Sequence, residues 1–166
     1  GAERVHNNLE ASENFFPSVC TSHSFSDKVQ AIRAAQAAGM DVCSGGIMGL
    51  GDGIEDRIDM ALSLRDLGID SIPVNMLNPI PGTPMEKYES LDEKEMQRII
   101  AVYRFILPKA FIRLAGGRGL MSDKGKACFM SGANAAISGD MLTTAGITVD
   151  KDKKLLEELD YMIKPL

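Results

Sequence analysis

Asp41-Val-Cys-Ser-Gly-Gly-Ile-Met-Gly-Leu-Gly-Asp52 reads as a short buried strand that ends in a cysteine and turns through glycines toward a helix. Strand-to-helix turns of this kind are the building units of α/β folds. Glycine is needed where the backbone turns tightly or approaches a ligand closely, so the Cys43 thiol is placed to face a ligand. A small buried cysteine beside an ordinary turn fits the same letters, and the segment alone leaves both interpretations open.

The composition excludes several classes of protein. The 166 residues include 18 Lys and Arg against 23 Asp and Glu, and the basic residues are scattered, which argues against a nucleic-acid-binding surface. No apolar run approaches the roughly 20 residues that span a bilayer, and the polar N-terminus predicts no signal peptide. The three cysteines form no CxxC pair and no zinc spacing, which predicts free thiols and a cytoplasmic location.

Strand-like and helix-like runs alternate along the chain. Predicted strands cover Arg4–Asn8, Met40–Ile47, Ile69–Met76 and Phe111–Ala115. Predicted helices cover Ser26–Ala38, Ile54–Leu67, Leu91–Leu107, Ala127–Ala136 and Asp150–Ile163. About four parallel strand–helix units predict an α/β fold, and the length suits half of a TIM-type (β/α)8 barrel, which typically has ~250 residues.

Helix ends and inner faces follow from local patterns. Ser26 is the predicted N-cap of the first long helix, and Gly39 is predicted to end it. Helical spacing marks the expected inward-facing residues of two later helices: Ile99, Ile100, Val102, Tyr103 and Ile106, and then Leu155, Leu156, Leu159 and Met162.

Polar or sulfur-bearing residues fall at the carboxyl ends of four predicted strands. They are Asn8 with Glu10, Cys43, Asn75 and Arg113. Ligands of such barrels bind at this end of the strands, so we expect these side chains to share one site. Taken singly, each has an ordinary structural interpretation as a strand exit, a loop cap or a member of a salt bridge.

Ordered motifs over nearly the whole chain resemble the C-terminal half of the biotin synthase family of radical S-adenosylmethionine (SAM) enzymes. They are Val5–Ser12, Val42–Gly51, Ile72–Leu77 with Gly82–Pro84, Ile112–Arg118, and Ala127–Asn134 with Gly139 and Leu142–Thr144. The resemblance implies radical SAM sulfur insertion that converts dethiobiotin to biotin.

The resemblance also implies an incomplete protein. The family's N-terminal half carries a CxxxCxxC loop for a [4Fe–4S] cluster, and this sequence has no such loop. The first residue is Gly1 rather than Met, as expected for an internal cut or for a residue left over from cloning. We therefore expect residues 1–166 to form a single partial domain that lacks the cluster-binding half and is inactive alone.

The resemblance assigns roles in cofactor binding to five residues. Asn8 and Glu10 match the pair that reaches the SAM ribose. Lys28 stands where the family often has arginine near the methionine carboxylate, while Ile47 and Leu50 bound the segment expected near adenine.

Four further residues match substrate and cluster positions. Asn75 matches the asparagine that holds the dethiobiotin ring, and His6 stands where asparagine is frequent near the substrate. Cys43 and Arg113 match ligands of an auxiliary iron–sulfur cluster, expected to be [2Fe–2S]. Arginine is ordinarily a cationic hydrogen-bond donor, so its default interpretation here is an ion pair.

The expected partners are dethiobiotin, SAM, and an electron donor such as flavodoxin or ferredoxin, without nucleic acid or membrane. The open edges of a half barrel also predict a homodimer, a strand exchange or pairing with the other half. Two alternatives remain open. One is another radical SAM relative, of the hydrogenase-maturation or methylornithine-synthase type. The other is a non-catalytic α/β module that binds a small molecule without iron.

Overall fold

The computed structural model describes residues 1–139 and 146–164 and is built on a parallel sheet of six short strands. The strands are β1 (Arg4–His6), β2 (Asp41–Cys43), β3 (Gly46–Met48), β4 (Ser71–Met76), β5 (Phe111–Leu114) and β6 (Ala135–Ala136). Their order is β1-β2-β4-β5-β6, with β3 also paired to β4. The motif Leu142–Thr144 lies outside the described residues.

Helices connect the strands. They are α1 (Phe16–Val19), α2 (Phe25–Ala37), α3 (Ile54–Asp66), α4 (Glu93–Ile106), α5 (Lys126–Met130) and α6 (Val149–Glu158), with a 3-10 turn at Arg118–Leu120. All five neighbouring strand pairs are parallel. The predicted α/β architecture of a half barrel is therefore confirmed. No helix within the two described ranges is long and apolar enough to cross a membrane.

The glycine segment forms two strands rather than the single predicted strand over Met40–Ile47. β2 ends at Cys43, and β3 begins at Gly46 and pairs further along β4. A Cβ at Gly45 would lie only 1.9 Å from the carbonyl oxygen of Pro73, so no other residue fits there without moving the backbone. Close approach of two strands thus explains the glycine.

The N-cap of α2 differs from the predicted one. Ser24, not Ser26, caps the helix: its hydroxyl accepts a bond from the backbone N–H of Asp27 at 3.2 Å. The Asp27 carboxylate accepts in return from the backbone N–H of Ser24 at 2.8 Å. This reciprocal capping box satisfies two N–H groups, which a cap at Ser26 would not do.

The predicted helix over Ala127–Ala136 is wrong in its second half. α5 has five residues, and Gly132, with a φ of 122°, leads the chain into β6. The Asn134 carboxamide then accepts a hydrogen bond from the backbone N–H of Ile112 at 2.8 Å. The alanine-rich letters favour a helix locally, but pairing with β5 determines the outcome.

The core lies between the sheet and its helices. On α4, Ile99, Ile100 and Tyr103 are buried as predicted, whereas Val102 is 38% exposed because it lies one position off their helical stripe. Met162 is 81% exposed because α6 ends at Glu158, before that residue. The three predicted inward leucines of α6 pack against the core: Leu155, Leu156 and Leu159.

Replacement of Gly45 by alanine is expected to destabilise the protein by about 1–3 kcal/mol, because the added methyl group overlaps the Pro73 carbonyl. Gly53→Ala is the matched control: its Cβ would meet only the Asp56 carboxylate, at 3.6 Å, and φ is negative there. The control is expected to cost about 1 kcal/mol or less, as an N-cap change. Urea denaturation of the purified variants measures both, and equal losses would contradict the packing argument.

Candidate functional site

A groove of about 320 Å³ lies at the carboxyl ends of the strands and brings together four of the residues singled out from the sequence. These are Asn8 and Glu10 after β1, Ile47 on β3 and Asn75 on β4. The loop after β4 and the two glycines after β5 complete the walls. Residues distant in the chain thus converge where α/β barrels bind ligands.

The loop after β1 is held in place by the glycine segment. The backbone N–H of Gly45 donates to Asn8 Oδ1 at 3.0 Å. The backbone N–H of Glu10 donates to the Gly45 carbonyl at 3.1 Å, and the N–H of Ile47 donates to the Glu10 carbonyl at 3.1 Å. These bonds hold Glu10 at a φ of 70°, a left-handed conformation that is uncommon outside glycine.

Glu10 carries an uncommitted carboxylate oxygen. Its Oε2 is buried and has no hydrogen-bond partner among residues 1–139 and 146–164. Burial raises the pKa of the Glu10 carboxyl, while the Lys28 ammonium and a hydrogen bond from Asn8 act in the opposite direction. A buried acceptor without a partner is suited to bind a ligand hydroxyl.

Asn75 bridges two neighbouring segments of backbone. Its Nδ2 donates to the Gly46 carbonyl at 3.1 Å, and its Oδ1 accepts from the backbone N–H of Gly116 at 2.9 Å. A carboxamide has two N–H donors and two acceptor positions. One donor and one acceptor therefore remain for a ligand in the groove.

Cys43, Ser71 and Arg113 meet on three adjacent strands. Arg113 Nη1 lies 3.8 Å from the Cys43 sulfur, and Nη2 donates to Ser71 Oγ at 2.8 Å. The strand register places Cys43 beside Ser71, and Cys43 is only 3% exposed. The buried Nε of Arg113 has no partner in the described part of the chain.

This arrangement fits part of an iron–sulfur ligand set. A buried thiol is the usual ligand for such a cluster, and Arg113 Nη1 lies 3.8 Å from it. A protonated guanidinium only donates hydrogen bonds, so Arg113 would bind iron only after losing a proton. Cluster sites take four ligands, and no group of three or more His, Cys, Asp and Glu side chains able to hold a metal occurs in the described ranges. Among the described residues, Cys43 and Arg113 are thus two candidate ligands at this position.

Three other predicted site residues do not line the groove. His6 is exposed and pairs with Cys43 in the strand register. The fraction of its side chain that is buried still lowers its pKa, as do the charges of Arg113 and Lys28. Lys28 donates to Asn7 Oδ1 at 3.3 Å. The Leu50 side chain is buried, and its backbone N–H donates to Asp52 at 2.7 Å. Of the two residues predicted to lie near adenine, Ile47 lines the groove and Leu50 does not.

Ser71 was missed by sequence reasoning, although a signal for it was present. Ser71 and Asn75 are four residues apart on β4, so their side chains lie on one face of that strand. Strand periodicity therefore places Ser71 on the same face as Asn75, and this could have been predicted from the sequence. Its partner Arg113 becomes evident only from the pairing of β4 with β5.

Residues 73–162 match the protein family described as Biotin and Thiamin Synthesis associated domain. That match covers more than half of the chain and includes Asn75 and Arg113. The resemblance expected from the motifs is therefore confirmed.

The similarity to curated relatives extends over nearly the full chain. A biotin synthase of Brachyspira hyodysenteriae is 70% identical over 164 residues, which is 99% of this chain and 49% of the relative. Biotin synthase 2 of Corynebacterium diphtheriae is 58% identical, over 98% of this chain and 49% of the relative. A biotin synthase of Akkermansia muciniphila is 57% identical, over 99% and 51%. The chain spans about half the length of the curated relatives it matches.

Solved structures share the fold at low sequence identity. Methylornithine synthase superimposes with a TM-score of 0.80 at 22% identity, over 99% of this chain and 53% of that one. The [FeFe]-hydrogenase maturase of Carboxydothermus hydrogenoformans gives a TM-score of 0.76 at 15% identity, over 95% and 42%. At these identities the likeness is one of architecture.

Ser71→Ala is expected to lower the free energy of unfolding by about 1–3 kcal/mol, because it removes the acceptor of a part-buried arginine. Ser44→Ala is the matched control. Ser44 lies between β2 and β3, and its hydroxyl is buried without a hydrogen-bond partner among the described residues. Removal of that hydroxyl is therefore expected to be neutral or stabilising. Chemical denaturation of both variants tests the contact, and equal effects would argue against it.

Glu10→Gln is expected to stabilise the protein at neutral pH. The pKa of Glu10 is raised in the folded state, so its contribution to stability is largest below its ordinary pKa and is lost as pH rises through the raised value. The advantage of glutamine should therefore shrink as pH falls toward the ordinary range of glutamate. Unfolding free energies of both proteins across that range measure this. An advantage that does not change with pH would contradict the burial argument.

Proposed function

We propose, since this chain belongs to the Biotin and Thiamin Synthesis associated domain family, that it forms the C-terminal half of a biotin synthase. The reaction is radical SAM sulfur insertion, which converts dethiobiotin to biotin. Residues 1–166 then form a single partial domain, and the half that carries the [4Fe–4S] ligands lies elsewhere. Identities of 57–70% to biotin synthases support this assignment over other radical SAM enzymes.

The observation that carries the proposal is the convergence at the carboxyl edge of the sheet. One groove combines Asn8, Glu10 and Asn75, and Cys43 lies beside Arg113 on the neighbouring strands. A binding module without iron requires the groove but gives no reason for a buried thiol beside an arginine with an unpaired nitrogen.

SAM is assigned to the groove next to β1 and β3. Asn8 and the free Oε2 of Glu10 bind the ribose hydroxyls, because amide and carboxylate oxygens accept from a diol. Ile47 packs against the adenine ring. Lys28 adds positive charge near Glu10 and binds the methionine carboxylate of SAM. Leu50 supports that segment from the interior.

Dethiobiotin is assigned to Asn75. Its remaining N–H and acceptor position match a ureido group, which presents both donors and an acceptor. Partial burial lowers the pKa of His6, as do the charges of Arg113 and Lys28, and this favours the neutral imidazole beside the substrate. A neutral imidazole both donates and accepts hydrogen bonds.

Cys43 and Arg113 are the ligands that this chain contributes to an auxiliary cluster, proposed to be [2Fe–2S]. Ser71 accepts from Nη2 of the guanidinium, which leaves Nη1 beside the Cys43 sulfur. When bound, the clusters supply the electron that cleaves SAM and the sulfur that enters the product. The protein's part is to hold SAM and dethiobiotin side by side and to exclude water.

The reductant, the location and the assembly complete the proposal. A flavodoxin or ferredoxin serves as reductant, and the protein works in the cytoplasm. Within the described residues β1 and β6 are the outer strands of the sheet, so each has an edge for the missing half or for a second copy. A homodimer of the intact enzyme remains a prediction. The likeness to methylornithine synthase and the hydrogenase maturase concerns architecture only.

Anaerobic assay of the full-length protein, reconstituted with iron and sulfide and supplied with SAM and a reductant, tests the proposal. Biotin should form from dethiobiotin. Cys43→Ala should abolish the product, because a cluster ligand is lost. Cys20→Ala is the control and should retain activity, since Cys20 lines a different cavity. An active Cys43→Ala enzyme, or an inactive wild type with both clusters loaded, would reject the proposal.

A further inference from the structure

A second cavity, of about 580 Å³, lies where the loop after α1 leads into α2. It has no lining residue in common with the groove at the carboxyl ends of the strands. Its walls include two aromatic rings and three polar or sulfur-bearing side chains: Phe16 and Phe25, and Cys20, Ser22 and His23. The cavity therefore holds a thiol and an imidazole to which the proposed reaction assigns no role.

Two polar side chains meet at the Cys20 sulfur. Cys20 Sγ lies 3.4 Å from Ser22 Oγ and 3.4 Å from His23 Nδ1, and Ser22 Oγ lies 3.0 Å from the same nitrogen. The His23 ring also packs edge-to-face against Phe16, with the centroids 5.7 Å apart. Phe16 is only 1% exposed, so the imidazole rests on a residue fixed in the core. A thiol within reach of an oriented base has the arrangement of an activated nucleophile.

The surroundings of Cys20 favour its thiolate. The Ser22 hydroxyl has the largest effect in lowering the pKa of the Cys20 thiol, and hydrogen bonds from the backbone of Ser22 and His23 lower it further. The Lys28 ammonium acts in the same direction, whereas desolvation opposes it. Reactive cysteines occupy partly exposed surroundings that stabilise the anion, and Cys20 is partly exposed.

The other two cysteines lack this combination. Cys128 is 1% exposed, and burial raises the pKa of its thiol to about 12. Cys43 is buried beside Arg113. The thiolate is the reacting form of cysteine, so a thiol-specific reagent should distinguish Cys20 from Cys128 within one molecule.

We propose that Cys20 is a modification site that forms mixed disulfides with low-molecular-weight disulfides, with His23 as the base that takes the proton of the thiol. The Cys20 thiolate attacks one sulfur of the disulfide, whose S–S bond breaks as the new S–S bond forms. The Cys20 sulfur is oxidised, and the other half of the reagent leaves as a thiolate that takes up the proton from His23. The attached half occupies the cavity, against the rings of Phe16 and Phe25. The exchange involves neither SAM nor dethiobiotin and is independent of the proposed function.

The test follows this exchange on the full-length protein under anaerobic conditions, with bis(2-hydroxyethyl) disulfide as the probe. The reagent is uncharged, so the carboxylates of Glu13 in the cavity wall and Asp27 at the α2 cap do not bias its rate. Peptide mapping by mass spectrometry measures the adduct at each cysteine over time. At neutral pH Cys20 should react at least about tenfold faster than Cys128, and the midpoint of its pH–rate profile should lie below about 8.5, the ordinary thiol pKa.

Two variants test the neighbours of the sulfur. Ser22→Ala and His23→Asn should each slow the modification of Cys20 at neutral pH by about 3- to 30-fold, because less of the thiol is ionised. The difference should disappear near about pH 10, where the thiol is ionised in every variant. Thr21→Val is the matched control. Thr21 lines the same cavity without a hydrogen bond to the Cys20 sulfur in the described part of the chain, so the wild-type rate should be retained.

Several results would overturn the proposal. One is a Cys20 that stays unmodified or reacts no faster than Cys128. Another is a Ser22→Ala or His23→Asn variant that reacts as fast as Thr21→Val at neutral pH. A variant that stays slow near about pH 10 also contradicts it, because that result reports hindered access and not a loss of ionisation. A slow, unchanged rate at the buried Cys128 shows that each variant is still folded.

Discussion

The site depends on the close approach of the Gly45–Gly46 backbone to its neighbours. A Cβ at Gly46 would lie 2.6 Å from the Glu10 carbonyl oxygen, and one at Gly45 would overlap the chain at Pro73. Asn8, Glu10 and Asn75 are each hydrogen-bonded to this glycine pair. Side chains there would push β1 and β4 apart, so one pair of glycines sets the position of three candidate ligand-binding residues.

Some polar atoms of the groove hydrogen-bond to the backbone, and others remain free for a ligand. Asn8 and Asn75 use part of their capacity on backbone groups, which orients their carboxamides before any ligand arrives. Glu10 instead keeps a buried oxygen free and adopts an uncommon backbone conformation. Such features lower stability, and proteins retain them where binding or catalysis needs preorganised groups.

Cys43 and Arg113 show how neighbouring strands create a local chemistry. Cys43 and Arg113 are 70 positions apart in the chain, but the register of β2, β4 and β5 brings the sulfur and the guanidinium together. Ser71 lies on β4, the strand between them, and accepts from the guanidinium. Both ends of the sheet remain open in the described part of the chain. An incomplete ligand set and open sheet edges are consistent with a chain that spans about half of its relatives.

The sequence by itself determined the alternation of strands and helices and the strand ends at which the candidate residues lie. Strand and helix periodicity are properties of neighbouring residues, and the glycine and Asn motifs are local as well. Local pattern failed at Ser24, where the cap depends on a reciprocal bond with Asp27, and at Ala135–Ala136, where pairing with β5 outweighs helix propensity. Only the tertiary structure decided that Ser71 holds Arg113 and that Leu50 points inward. These outcomes depend on strand register and loop packing, which join residues far apart in the chain and leave no periodic trace in its letters.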